Sequence, residues 1–137
     1  MKERVSTVMT AQEAKEKILS GQLSFKFVTI KGNLYLASTT IKDSLHFEGA
    51  IIEGDLYLRD ATIEGYLYLE DATIKGSLHL GGATIEGALY LEGAIIKGSL
   101  DLSFKKGPAE IYVTFKQAQL IHWAAPTTPL IIVSKEV

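Results

Sequence analysis

Isoleucine returns every eleven residues along most of this chain, at Ile30, Ile41, Ile52, Ile63, Ile74, Ile85 and Ile96. Two places on stand Gly32, Gly54, Gly65, Gly76, Gly87 and Gly98, with Asp43 the one departure. Four places on stand Leu34, Leu45, Leu56, Leu67, Leu78, Leu89 and Leu100, and six places on Leu36, Phe47, Leu58, Leu69, Leu80, Leu91 and Leu102. Ala50, Ala61, Ala72, Ala83 and Ala94 fill the ninth place, and Leu19, Gly21, Leu23, Phe25 and Val28 carry the pattern one unit upstream. Eight units therefore run from Leu19 to about Lys106, and at Gly107-Pro108 the motif is gone. No unit this short can bury its own apolar side chains, so the units must stack on one another.

Within Ile74-Lys75-Gly76-Ser77-Leu78-His79-Leu80, apolar or small residues alternate with polar ones, which is the period of a strand. Gly81-Gly82-Ala83-Thr84 then has the composition of a turn or corner. A helix is excluded, because a glycine in each unit costs about 1 kcal/mol relative to alanine. Two strand architectures remain. A β-meander would alternate strands and hairpin turns, but it lacks the Asn-Gly or Asp-Gly signals of such turns, and near-identical units offer no corners at which to close a barrel. Parallel coils put each Ile over an Ile and each Leu over a Leu, with backbone groups paired to the coils above and below. Eleven residues per coil leaves little interior width. Twenty-two residues per coil gives a four-sided section, and eight units then make four coils about 19 Å tall. The favoured expectation is an all-β parallel β-solenoid of the wider kind.

Ala72-Thr73-Ile74-Lys75-Gly76 resembles one unit of the pentapeptide-repeat proteins, with small residue, polar residue, bulky apolar centre, polar residue and glycine in order. Ser77 to Gly82 resembles a six-residue variant with Leu78 and Leu80 inward, so that five and six make eleven. The resemblance covers roughly residues 19–106 and implies a right-handed quadrilateral β-helix. The sequence departs from that family in the extra residue of every second unit and in Leu where Ala is usual at one inward place. A weaker resemblance is to the bactofilins, polymer-forming β-helical proteins with Ile-x-Gly-x-Leu/Ile elements.

The ends differ from the repeat. Thr10-Ala11-Gln12-Glu13 fits a capping box, and Ala11, Ala14, Ile18 and Leu19 share a face, which predicts a short helix over about 11–18. Residues 1–18 then form an N-terminal capping region over the first coil, 19–106 the solenoid, and 107–137 a C-terminal cap or oligomerisation segment. In that last segment Ile111 to Phe115 alternates like a strand, and Leu130, Ile131, Ile132 and Val133 form a strongly apolar run. With Trp123, this run is the candidate subunit interface.

Chemistry is sparse. The 137 residues carry 14 basic and 16 acidic side chains, which argues against a basic nucleic-acid surface. The absence of cysteine excludes disulfides, thiol nucleophiles and Cys-ligated zinc. No apolar run reaches the ~18–20 residues of a membrane span and the N-terminus lacks a signal-peptide core, so a soluble cytoplasmic protein is expected. His46 and His79 stand thirty-three residues apart, on opposite sides of a wide coil or several levels apart on a narrow one, and make no metal pair. His122 beside Trp123 reads as structural. There is no Gly-x-Ser-x-Gly, and the glycines sit in strands and corners, not in a phosphate loop. The expectation is no catalytic site, no metal and no cofactor.

Two outward features are candidate contacts. Tyr35, Tyr57, Tyr68 and Tyr90 share one place of the unit with His46, His79 and Asp101, where they could meet a partner or simply stack on each other. In twenty-two-residue coils, alternate units share a side. One side would carry Lys42 against Glu48, Glu64, Glu70, Asp71, Glu86 and Glu92, and the other balances Lys31, Arg59, Lys75 and Lys97 against Glu53, Asp55, Asp60 and Asp101. The acidic set Glu64, Glu70, Glu86 and Glu92 could serve contact or only solubility. The expected function is a non-catalytic, rigid interaction or structural module whose partner is a protein or a second copy of itself. A self-assembling scaffold and an enzyme with a site between subunits near His122 and Trp123 are the alternatives.

Overall fold

The computed structural model describes residues 7–114 and 130–133, the last four by backbone alone. Its strands fall into four sheets, one for each side of a coil. Side one stacks β1 (Val8–Thr10), β2 (Thr29–Lys31), β6 (Ile51–Ile52), β10 (Thr73–Ile74) and β14 (Ile95–Ile96) in that order. Side two stacks β3 (Leu34–Tyr35), β7 (Leu56–Tyr57), β11 (Leu78–His79) and β15 (Leu100–Asp101). Side three stacks β4 (Thr40–Ile41), β8 (Thr62–Ile63) and β12 (Thr84–Ile85). Side four stacks β5 (Leu45–His46), β9 (Leu67–Tyr68), β13 (Leu89–Tyr90), β16 (Ile111–Thr114) and β17 (Leu130–Val133).

Every pairing is parallel, and within the repeat each joins residues twenty-two apart, as in Ile52 with Ile74, Leu56 with Leu78, Ile63 with Ile85 and Leu67 with Leu89. This is the wider coil, two sequence units per turn, and it excludes the meander. The interior holds the like-over-like columns: Ile52, Leu56, Leu58, Leu67, Leu69, Leu78 and Leu80 are wholly buried, with Ala50, Ala61, Ala72 and Ala83 at the corners.

The corners explain why the strands are only two residues long. The Ala61 amide donates to the Leu58 carbonyl, Ala72 to Leu69 and Ala83 to Leu80, closing tight turns. The third residue of each turn has φ near +60° to +74°, as in a type II turn: Asp60, Asp71, Gly82 and Gly93 hold that place, as do Phe27 and Ser38 in the first coils.

The helix α1 (Ala11–Leu19) opens on the expected capping box: the Glu13 amide donates to Thr10 Oγ1 at 3.0 Å and the Thr10 amide to Glu13 Oε1 at 2.9 Å. Ala14 and Ile18 are buried in the core, and the helix lies against β1, β2 and β3, over the first coil. Two features depart from the sequence reading. Leu19, which occupies the isoleucine column by spacing, ends α1 and is 61% exposed, because helical backbone displaces the strand of the first copy. Strand β1 carries no repeat motif, yet it pairs with β2 and extends side one by one strand.

At the other end the register outlives the motif. Lys106 bridges to Thr84, and β16 pairs with β13 at the same twenty-two-residue step, Leu89 with Ile111 and Tyr90 with Tyr112. The apolar run Leu130 to Val133 is strand β17, parallel to β16. Trp123 and His122 lie outside the described residues. Among the described residues, no helix is long and apolar enough to cross a membrane.

Candidate interaction faces

The wide coil divides the outward aromatic place into two columns on opposite sheets. On side two, Tyr35 stacks on Tyr57 at 4.8 Å and Tyr57 on His79 at 4.6 Å, with interplanar angles of 11° and 1°. Asp101 ends that column, in register with His79. On side four, His46 stacks on Tyr68 at 4.6 Å, Tyr68 on Tyr90 at 5.0 Å and Tyr90 on Tyr112 at 4.5 Å. The four candidate tyrosines are therefore two pairs, not one surface. Their stacking is the cross-strand contact that parallel in-register strands force, worth about 0.2–1 kcal/mol per pair. Tyr112 belongs to the second column and was missed by the eleven-residue motif, although a step of twenty-two from Tyr90 finds it. Tyr66 meets Tyr68 and Tyr90 edge-on, at 5.8 and 6.1 Å.

The carboxylates around the two columns differ in how they are used. On side two, Asp55 accepts the Ser77 amide and the Tyr57 hydroxyl, each at 2.8 Å, and lies 3.6 Å from His79 Nε2. Chiefly the amide bond, then the phenol, holds its carboxyl below the ordinary range, while the same contact raises Tyr57. Asp101 is lowered first by its hydrogen bonds with Ser103, and Arg59 Nη1 stands 3.5 Å from it. Side two is thus internally compensated.

Sides three and four keep an acidic excess. Lys42 begins the column of Glu64 and Glu86 and Lys26 that of Glu48, Glu70 and Glu92, but the stretches 43–48, 64–71 and 86–93 contain no Lys or Arg. Glu64 and Glu86 follow β8 and β12 and are exposed, whereas Glu70 and Glu92 follow β9 and β13, are half-buried, and stand in one column with Glu48. The four candidate glutamates therefore occupy two neighbouring columns. Glu48 Oε2 lies 3.2 Å from His46 Nδ1, but Oε1 of Glu48, Glu70 and Glu92 is buried with no hydrogen-bond partner. Burial, then the like charges of Glu92 and Glu48, pushes Glu70 above the ordinary glutamate range. At the foot of the neighbouring aromatic column the Tyr112 hydroxyl donates to Glu110 Oε1 at 2.5 Å, which with burial raises Tyr112 to about 12.

His46 and His79 lie in different columns, and among the described residues no three His, Asp or Glu converge as metal ligands. The side chains of Leu130, Ile131, Ile132 and Val133 are outside the described residues, so their candidate interface role gains only the backbone fact that they form β17. The chain matches no protein-family model, no curated protein and no solved structure.

Proposed function

We propose that this chain is a non-catalytic β-solenoid of pentapeptide-repeat-like build that presents sides three and four, acidic and tyrosine-lined, as a rigid surface to a protein partner. The observation that carries this reading is the contrast between sides. Side two pairs its carboxylates with amides, hydroxyls and Arg59, while on sides three and four Glu48, Glu64, Glu70, Glu86 and Glu92 outnumber the Lys26 and Lys42 of their columns. An excess of charge of one sign on a rigid frame selects partners of the opposite sign and speeds their approach. Stacked rings keep the frame from yielding, so little entropy is lost on docking.

The test is capture of partners by the intact chain and by a variant with Glu64, Glu70, Glu86 and Glu92 changed to Ser. Loss of a specific partner, together with weakening by salt, supports the reading; an unaltered catch rejects it. A second reading, self-association, draws on Ile95, which is 53% exposed on β14, the last strand of side one among the described residues. Sizing of the intact chain against a version lacking 130–137, and against Ile95→Asp, separates a dimer or polymer from a monomer.

A further inference from the structure

The aromatic column on side four gives an oxidised ring somewhere to send its electron vacancy. Tyr68, Tyr90 and Tyr112 are in stacking contact, and Tyr66 touches the first two by its edge. A neutral tyrosine gives up an electron most readily where its phenolic proton can leave at the same moment to a hydrogen-bonded base. In this column that condition is met at Tyr112, whose hydroxyl donates to the Glu110 carboxylate. On side two Tyr57 also has a carboxylate, but Asp55 already accepts the Ser77 amide and is the weaker base for it. Tyr90 and Tyr112 are register partners whose rings lie 3° from parallel with centroids 4.5 Å apart, which keeps the two rings in stacking contact for coupling.

We propose that this column is a site of oxidative modification in which Tyr112 is where the radical settles and Tyr90 is its covalent partner. A one-electron oxidant of the peroxidase type, fed by hydrogen peroxide, removes an electron from a ring of the column. The vacancy settles at Tyr112 as the phenolic proton passes to Glu110. A second oxidation removes an electron and a proton from Tyr90, the proton leaving to water. The two neutral radicals join ortho carbon to ortho carbon, and the ortho hydrogens shift to the phenolic oxygens. Each tyrosine has then lost one hydrogen atom, and the peroxide has taken both and become two waters. The new bond ties β16, which lies beyond the end of the repeat motif, to β13 within it.

The experiment is treatment of the intact chain with a peroxidase and limiting peroxide, followed by peptide mapping by mass spectrometry. The expected product is a monomer whose Tyr90 and Tyr112 peptides are linked and lighter by two hydrogens. Glu110→Gln should lower its yield several-fold, and Tyr90→Phe should abolish it, with unchanged circular dichroism in both. Exposure alone orders the reaction differently, because Tyr35 at 52% and Tyr66 at 42% are the open targets. Oxidation concentrated on those two, or cross-links only between chains, overturns the proposal. The map of the unmodified sequence decides the matter even if a variant fails to fold.

Discussion

Asp55 Oδ1 accepts the amide of Ser77 and fills the space that a Cβ on Gly76 would need. The same construction recurs one coil up and one coil down, where Asn33 accepts the Asp55 amide against Gly54, and Ser77 accepts the Ser99 amide against Gly98. Each glycine is required by its neighbour in the next coil, because the side chain that caps the stack lies against it.

Gly76→Ala should therefore destabilise the protein by about 2–3 kcal/mol, since the added methyl meets the Gly54 backbone at 2.9 Å as well as the Asp55 carboxylate. Trimming Asp55 to Ala in the same chain removes only the side-chain part of the clash and should not restore full stability. Urea denaturation of the two single variants and the double variant checks this, and a Gly76→Ala chain as stable as the parent would refute it.

Glu70 makes stability depend on pH. Burial and the flanking Glu92 and Glu48 hold its folded value above the ordinary 4.5, so between those values the folded chain binds a proton that the unfolded chain does not. Its contribution is fully present below about 4.5 and is lost as pH rises through the folded value. The nearby groups that also bear on this are His46, Tyr68, Tyr90 and Asp71, with Lys26 at the matching place one coil above Glu48. Glu70→Gln should flatten the gain in melting temperature on acidification from pH 8 to 5; parallel curves for variant and parent would contradict it.

Tyr112 acts at the alkaline end. Its folded value of about 12 exceeds the ordinary 10.0, so the stability it confers is present below pH 10 and fades between 10 and 12. Phenolate absorbance should show one tyrosine titrating late, and Glu110→Gln should bring it back towards the ordinary value.

Ser38 sits at φ 61° in a turn place that Gly82 and Gly93 occupy in later coils. Side chains pay about 1–2 kcal/mol for that backbone, least for Asn and Asp. Ser38→Asn should raise stability by up to about 1 kcal/mol in thermal unfolding, and a fall would mean that the Ser38 side chain has a stabilising role of its own.

Much of the fold was legible because a column in a solenoid is a column in the sequence. Ile52, Ile74 and Ile96 stand in register for the same reason that they recur, and the capping box of α1 is a purely local pattern. The candidate faces were less legible. Tyr57 and Tyr68 occupy identical places in the eleven-residue unit yet belong to opposite sheets, because one unit is only half a coil. Leu19 obeys the spacing and is exposed all the same, since helix formation through that residue replaced the strand it would have joined.

The sequence by itself determined that like residues pile on like, that strands are short and cornered, and that a helix begins after Thr10. These follow from period, turn chemistry and capping, which act over a few residues. Only the tertiary structure decided which columns share a side. The length of one circuit is set by how many side chains must fill the interior, and that is a property of the closed coil. The favoured wider coil already set Glu48, Glu70 and Glu92 on one side; the closed coil added the stacking of the tyrosines in two columns, the buried unpaired oxygens of that glutamate row and the contact of Tyr90 with Tyr112.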